Sequence, residues 1–320
     1  DRVGATMSYN SYAFPWGVFL SQPLITPFSI SIIGHNYVGG FAGGGSLILE
    51  GENIFMRESG TTATLTGNDY VGGLIGYSKS LEAHASASYT SYAHIKAHAF
   101  SGGIAGYLEN MNTDAIFTNR GSINATGNYC GGIVGRGAAL ACKGTWTNEA
   151  TIVGIRAVGG IIGDVDRMNS QCKINMINDG SLSSTQYYIG GLIGYSNSQL
   201  NFGADSRVSY EGGSMKITGE TYTGGVIGGL DMAVGSASHI IDKQPAVHAN
   251  IIARSHTGGI CGYMRLKNTT GVAEIIKETN VCKVVITSTS PSATNIGGVI
   301  GYLRAESENC LLYTSDAADD

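Results

Sequence analysis

The sequence predicts an all-β fold: a parallel β-helix, or β-solenoid, of about nine coils. The first observation is a motif of two glycines, two apolar residues and a third glycine, which occurs nine times in the 320 residues. Successive motifs are 33, 30, 29, 28, 31, 34, 34 and 39 residues apart, and a period in this range is typical of stacked repeats. The nine motifs have their first glycines at Gly39, Gly72, Gly102, Gly131, Gly159, Gly190, Gly224, Gly258 and Gly297.

The second observation is the composition of the segments between these motifs. Short runs of Ile, Val and Leu are bounded by Gly, Asn, Ser and Thr, which is typical of strands and turns. Glycine recurs inside the apolar runs, and each one costs a helix roughly 1 kcal/mol relative to alanine. The chain contains 48 glycines, but its 42% of hydrophobic residues excludes a disordered glycine-rich polymer.

Each repeat of about 30 residues is predicted to contain three short strands. In the repeat before the fourth motif the first two strands cover residues 115–121 and 122–126, and the motif strand covers 129–135. Three strands of about five residues and three turns account for the period, and such coils stack about 4.8 Å apart. Asn119, Asn148 and Asn178 fall on the same turn of successive coils, which predicts an asparagine ladder along the axis.

The motif strand has apolar residues at two adjacent positions, such as Ile133 and Val134. Neighbouring residues of a flat strand point to opposite faces, so the pattern predicts either a bend or burial on both sides. Most copies begin with an aromatic residue, as at Tyr70 and Phe100, and these rings are expected to lie over the glycine backbone of a neighbouring strand.

We expect three parts along the chain. Residues 1–36 form a truncated leading coil, and residues 37–309 form a single solenoid of nine repeats. Residues 310–320 resemble the translation of a transposon-type sequencing-library adapter and are expected to be a non-native tail. Without Asp316, Asp319 and Asp320 the acidic count falls from 24 to 21 and the net charge from −5 to −2.

Composition also bears on partners. Only 13% of residues are charged and Lys and Arg form no basic patch, so a nucleic-acid partner is not expected. No run of 18 apolar residues occurs, so direct membrane insertion of this fragment is not expected either.

The cysteines contain no Cys-x-x-Cys pair that would indicate a zinc ribbon or a redox motif. Cys142 and Cys172 are one repeat apart and would lie on adjacent coils, within reach of a disulfide. Two free thiols are the alternative, and the sequence leaves the choice open.

No catalytic, cofactor-binding or metal-binding residue is assigned. Gly-Gly-x-x-Gly lacks the other residues of a nucleotide-binding loop, so the glycines are expected to be structural. His94 and His98 share a strand face but are expected to face solvent instead of ligating a metal. Asp164 and Asp166, with Arg167, form an acidic group that is either solvated or a carboxylate pair for glycoside chemistry.

The recurring Tyr-x-Gly-Gly-Leu/Ile-Ile/Val-Gly-Tyr, preceded by Asn-x-Gly-x-Ile/Leu, resembles the GLUG repeat of large secreted and surface-anchored proteins. The best copies lie at 119–135 and 178–195, and the resemblance covers about residues 30–309. It implies a β-solenoid in adhesin-like proteins. In some bacterial IgA-degrading metallopeptidases such repeats accompany a protease domain, whose zinc motif is missing here. His256 and Asn295 replace the motif's tyrosine in the last two copies.

We therefore expect a non-enzymatic extracellular or cell-surface segment, either an adhesin-like stalk or a binding scaffold for glycans or neighbouring cell-surface proteins. The longer insertions at 201–213, 235–246 and 268–283 are its expected binding surface. The alternative is a carbohydrate-active β-helix enzyme, of the polysaccharide lyase or glycoside hydrolase type. Asn124 and Asn268 fit the glycosylation acceptor pattern, at a frequency near chance.

Overall fold

The computed structural model describes residues 3–4, 18–20, 30–49, 52–55, 63–83, 87–169, 172–197, 200–209, 215–233, 241–243, 245–267, 276–278 and 282–305. None of these residues lies in a helix, and every pairing between strands is parallel. The predicted all-β solenoid is confirmed. The proposed tail at 310–320 lies outside the described residues.

The strands are β1 Val3–Gly4, β2 Val18–Leu20, β3 Ile30–Ile33, β4 Asn36–Gly39, β5 Ala42–Leu49, β6 Glu52–Phe55, β7 Ala63–Thr66, β8 Asp69–Gly72, β9 Ile75–Ala83, β10 Ser88–Ser91, β11 His94–Ala97, β12 Ala99–Gly102, β13 Ala105–Thr113, β14 Ile116–Asn119, β15 Ile123–Ala125, β16 Asn128–Gly131, β17 Val134–Leu140, β18 Lys143–Asn148, β19 Ile152–Gly154, β20 Arg156–Gly159, β21 Ile162–Met168, β22 Lys173–Asn178, β23 Leu182–Ser184, β24 Tyr187–Gly190, β25 Ile193–Ser196, β26 Arg207–Val208, β27 Met215–Gly224, β28 Ile227–Ala233, β29 Ile241–Lys243, β30 Ala246–Gly258, β31 Cys261–Lys267, β32 Ile276–Glu278, β33 Cys282–Ser288, β34 Ile296–Gly297 and β35 Ile300–Ala305.

A complete coil has four strand positions, as in β14 to β17, and each strand pairs with its counterpart one coil away. The first three positions belong to a sheet of 23 strands, and the fourth belongs to a sheet of 10 strands. The described residues give about seven complete coils with a period of about 31 residues. Two partly described coils bring the motif turns to the predicted nine.

The structure has four strands per coil where the sequence predicted three, because the motif strand is divided by a bend. In the fourth motif β16 ends at Gly131 in the larger sheet, and β17 begins at Val134 in the smaller sheet. Ile133 and Val134 are both fully buried, because the chain turns a corner here and both side chains face the core. Both backbone amides at this corner donate to the carbonyl of Ile161 on the next coil, at 2.9 and 3.1 Å. The open choice between bend and two-sided burial is settled in favour of the bend.

Close approach of backbone explains the glycine pair at this bend. A Cβ atom on Gly131 would lie 2.0 Å from the carbonyl oxygen of Val134 in the same motif. A Cβ on Gly132 would lie 2.1 Å from the carbonyl oxygen of Gly160, which is the equivalent glycine one coil away. Both distances are far below a van der Waals contact, so a larger residue at either position would push the turn or the coils apart.

The asparagine ladder is confirmed. The side-chain amide of Asn119 donates to Oδ1 of Asn148 at 2.9 Å, and that of Asn148 donates to Oδ1 of Asn178 at 2.9 Å. The amide of Asn178 donates to the carbonyl of Gly191 at 2.7 Å. All three side chains are fully buried beside the glycine pairs, so the ladder satisfies polar groups inside the core.

Cys142 and Cys172 lie on adjacent coils, as their spacing predicted, and both are buried. The backbone amide of Cys142 donates to Sγ of Cys172 at 3.4 Å, and both cysteines carry free thiols. Burial raises the pKa of the Cys172 thiol to about 11 and raises that of Cys142 as well. The structure therefore contains two adjacent buried free thiols and no disulfide between them.

Candidate functional site

Two rows of side chains run along the outside of the motif bends. The first aromatic row contains the residue that lies two positions before each glycine pair, and the second contains the residue five positions after its first glycine. The first aromatic row is Tyr37, Tyr70, Phe100, Tyr129, Ala157, Tyr188, Tyr222, His256 and Asn295. The second aromatic row is Gly44, Tyr77, Tyr107, Arg136, Asp164, Tyr195, Gly229, Tyr263 and Tyr302, which align in consecutive register.

Rings of the first aromatic row stack on one another from coil to coil. The ring centroids of Tyr37 and Tyr70 are 4.9 Å apart, and those of Tyr70 and Phe100 are 4.7 Å apart. Tyr107 of the second aromatic row meets Tyr70 edge-on at 5.9 Å. The rings were expected to lie over neighbouring glycine backbone. Tyr188 does lie against Gly229 of the next coil, whereas the rings of Tyr37, Tyr70 and Phe100 lie on each other. Because their faces are already occupied, these rings present mainly their edges to solvent.

All nine residues of the first aromatic row have a left-handed backbone, with φ between 51° and 66°. A residue with a Cβ pays roughly 1–2 kcal/mol for this conformation. A stacked aromatic pair contributes about 0.5–1.5 kcal/mol beyond its area of burial, so stacking offsets much of that strain.

The aromatic pattern is interrupted at the fifth motif. Ala157 takes the place of a ring in the first aromatic row, and Arg136 and Asp164 occupy consecutive places in the second. With Arg156 and Asp166 these residues form the charged cluster. The guanidinium of Arg136 lies over the Tyr129 ring, with Cζ 5.5 Å from its centroid. Cζ of Arg156 lies 5.6 Å from the centroid of the Tyr188 ring. Guanidinium groups therefore contact the tyrosine rings on either side of Ala157, where the row lacks an aromatic ring.

Arg136 joins the two carboxylates of the charged cluster. Its Nε atom is 3.0 Å from Oδ2 of Asp164, and its terminal NH2 group donates to both carboxylate oxygens of Asp166 at 3.0 Å. Asp166 and Arg136 are partly exposed, whereas Asp164 is only 3% exposed. Ala157 is also buried, so the charged side chains cover the space that an aromatic ring fills in the aromatic coils.

Asp164 is the buried and incompletely paired member of this cluster. Burial, together with the nearby Asp166, raises the pKa of its carboxyl to about 7, although Arg136, Arg156 and a hydrogen bond from the Val165 backbone lower it. Its Oδ1 atom has no hydrogen-bond partner, and Nε of Arg136 is not aligned for a hydrogen bond despite its proximity. The cluster therefore contains an acceptor and a donor whose hydrogen bonds are unmade.

The acidic group predicted from sequence is thus brought together, but with a different arginine. Arg167 is exposed, and the cation between the two aspartates is Arg136, which the sequence interpretation missed. The spacing contained the signal, because Arg136 follows Gly131 by five residues and Asp164 follows Gly159 by five.

The two histidines do not form a common site. His94 contacts Ser122 of the following coil, with Nδ1 and Oγ 2.8 Å apart. His98 contacts Asp69 of the preceding coil, with Nδ1 and Oδ1 3.4 Å apart. Both are exposed as predicted, and within the described ranges no group of three or more His, Cys, Asp or Glu is placed to hold a metal ion.

The insertions predicted to form a binding surface are described only in part. Residues 201–209 of the first, 241–243 and 245–246 of the second, and 276–278 and 282–283 of the third belong to the described residues. The possible glycosylation site Asn268 lies outside them, whereas Asn124 is exposed on β15.

Comparison with family models, with curated proteins and with solved structures finds no match to this chain. The resemblance to GLUG repeats accordingly stays a prediction. Among the described residues there is no helix with the length and apolar character needed to cross a bilayer.

Proposed function

We propose that this chain is a non-enzymatic extracellular or cell-surface segment that serves as a rigid stalk and a binding scaffold for glycans or surface proteins. The observation that carries the proposal is the continuous pairing of the stacked coils, which tolerates a register shift between Gly45 and Ser46. The strand after the motif pairs with its counterpart from β5 to β35, and the first aromatic row keeps one backbone conformation at all nine turns.

Stacked coils of this kind suit a spacer because each coil is held by its neighbours. At about 4.8 Å per coil, nine motif turns extend about 40 Å along the axis. The asparagine ladder and the aromatic stacks add contacts between coils to the backbone hydrogen bonds. Such a rod holds its surface groups at fixed separations. Secretion and adhesin-like behaviour rest on the GLUG resemblance.

Two measurements on the purified full chain test this proposal. A glycan array should show binding without release of a cleaved product, or a whole-cell assay should show binding to cell surfaces. The absence of binding to both glycans and cell surfaces would contradict the scaffold function.

A carbohydrate-active enzyme is the second candidate, and the charged cluster is the observation that favours it. Glycoside hydrolysis uses one protonated and one ionised carboxyl, and burial raises the pKa of Asp164 to about 7 beside a second carboxyl, Asp166. Incubation with neutral and acidic polysaccharides would distinguish the two functions. Shortened products that disappear in Asp164→Asn would establish the enzyme, and intact polysaccharide would favour the scaffold.

A further inference from the structure

The charged cluster contains a cation available to a ligand. Arg156 is exposed and lies against the Tyr188 ring, and no carboxylate among the described residues lies within ion-pair distance of it. Its long side chain can rotate from the ring toward a bound group. A guanidinium in such a position forms paired hydrogen bonds with a carboxylate.

The same cluster contains a buried acceptor. Asp164 occupies a register place that holds Tyr195 one coil away, and its Oδ1 lacks a partner. A second buried aspartate on this face differs in that respect. Asp231 accepts hydrogen bonds from the Tyr195 hydroxyl at 3.2 Å and from the Arg265 guanidinium. A carboxylate at this depth can therefore be fully paired by the fold, and Asp164 is not.

The spacing between the flanking rings limits what can bind. Tyr129 and Tyr188 lie two coils apart, which is about 9.6 Å along the axis. In the uninterrupted part of the row a single ring fills this interval, with centroids 4.7 and 4.9 Å from its neighbours. Among the described residues, the guanidinium groups of Arg136 and Arg156 cover the tyrosine faces on either side of Ala157. The interval is as wide as one ring, so a ring-sized ligand binds here by displacing both guanidinium groups.

The geometry points to the charged cluster as a binding site for a sugar ring that carries a carboxylate. The ligand carboxylate pairs with Arg156, a sugar hydroxyl donates to Oδ1 of Asp164, and an apolar sugar face packs on Tyr188. Opposite charges and an unpaired acceptor together favour a ligand with both an anionic group and hydroxyl donors over a neutral sugar or a simple anion. This inference rests on the proposed glycan-binding function and assigns it a site.

Calorimetric titration of the full chain tests the assignment with three probes: tetragalacturonic acid, neutral galactotetraose and a short polyglutamate peptide. We expect binding of the acidic sugar, and at least tenfold weaker binding of the other two. Arg156→Gln should weaken binding of the acidic sugar about tenfold, because it removes a charge-assisted pair. Arg167→Gln removes the same charge from an exposed position in the same coil and should leave binding unchanged.

A second variant, Ala157→Tyr, supplies the ring that the row lacks and should abolish binding while circular dichroism shows an unchanged fold. Equal binding of polyglutamate, or an equal loss in Arg156→Gln and Arg167→Gln, would overturn the assignment in favour of general charge attraction. Binding of neutral glycans alone would overturn this site and leave the scaffold function standing. Failure of every glycan on the array would overturn this site, and it would contradict the scaffold function as well only if the chain also fails to bind cell surfaces.

Discussion

The third and fifth motif turns have the same backbone and opposite side-chain chemistry. At the third turn Phe100 has φ 51° and stacks between Tyr70 and Tyr129. At the fifth turn Ala157 has φ 52° and no ring, and charged groups surround it. Because the conformation is kept where the aromatic ring is lost, the glycine pair and the sheets determine the bend. The aromatic rows then compensate for the strain that the bend imposes.

The same outer positions have different roles in the two regions. In the aromatic coils the outer residues pair with one another and leave little unsatisfied. In the charged cluster Asp164 is buried with an unpaired oxygen, and Arg156 acts on Asp164 from a distance without forming a close ion pair with any described residue. Unmade hydrogen bonds of buried groups are costly in free energy, so each needs an explanation. They also occur outside the cluster, at Trp146 Nε1 and Thr223 Oγ1, but only the cluster combines one with an exposed cation among the described residues.

The largest effect is expected at the second glycine of the glycine pair, a position that every motif turn has in common. Gly132 is this residue in the fourth turn. Gly132→Ala places a Cβ 2.1 Å from a carbonyl oxygen of the next coil, so the free energy of unfolding should fall by about 3 kcal/mol or more. Gly298→Ala is the matched control, because it changes the same motif position where no atom lies within 4 Å. Urea denaturation measures both, and equal losses would show that the glycine pair does not set the bend.

A smaller loss is expected in the ladder that lines the inside of the bend. Asn148→Ala removes the acceptor of Asn119 and the donor to Asn178, leaving buried polar groups unpaired. The free energy of unfolding should fall by about 2 kcal/mol. Asn124→Ala, at an exposed strand position, should change it by less than about 0.5 kcal/mol. Comparable stability of the two variants would show that the asparagine ladder does not stabilise the fold.

The smallest expected effect is a gain at the position where the regions differ. Ala157→Gly relieves the left-handed backbone without losing a stacked ring, so the free energy of unfolding should rise by about 0.5 kcal/mol. Ala125→Gly, in a buried strand position with ordinary φ, should lose about 1 kcal/mol. If thermal denaturation shows both variants losing stability, the strain at Ala157 is smaller than the account requires.

Much of the scaffold follows from sequence because the stacking is periodic. The spacing of the glycine pairs places Asn119 and Asn148 at the same turn, and the ladder follows without further information. The fourth strand does not follow, because two apolar neighbours such as Ile133 and Val134 fit a bend or a buried flat strand equally well. Only the path of the backbone between the two sheets distinguishes these possibilities.

The charged cluster was predictable in part. Asp164 and Asp166 are close in sequence, but the role of Arg136 depends on the register between coils. The left-handed backbone of the first aromatic row had a weak signal in Asn295, since asparagine tolerates this conformation. The burial of Asp164 depends on how side chains of three coils close over Ala157, which periodicity alone does not specify.

The pKa of Asp164 tests most directly whether the fifth turn contains a buried, incompletely paired carboxyl. NMR titration of its carboxyl carbon should give a pKa of about 7, because burial, helped by the nearby Asp166, outweighs Arg136 and Arg156. The folded state then holds a proton that the unfolded state releases at lower pH. Asp164 therefore lowers the free energy of unfolding as pH rises from about 4 to 7, and Asp164→Asn removes this slope. A pKa near the ordinary value of 3.8, with no difference in slope, would contradict the account.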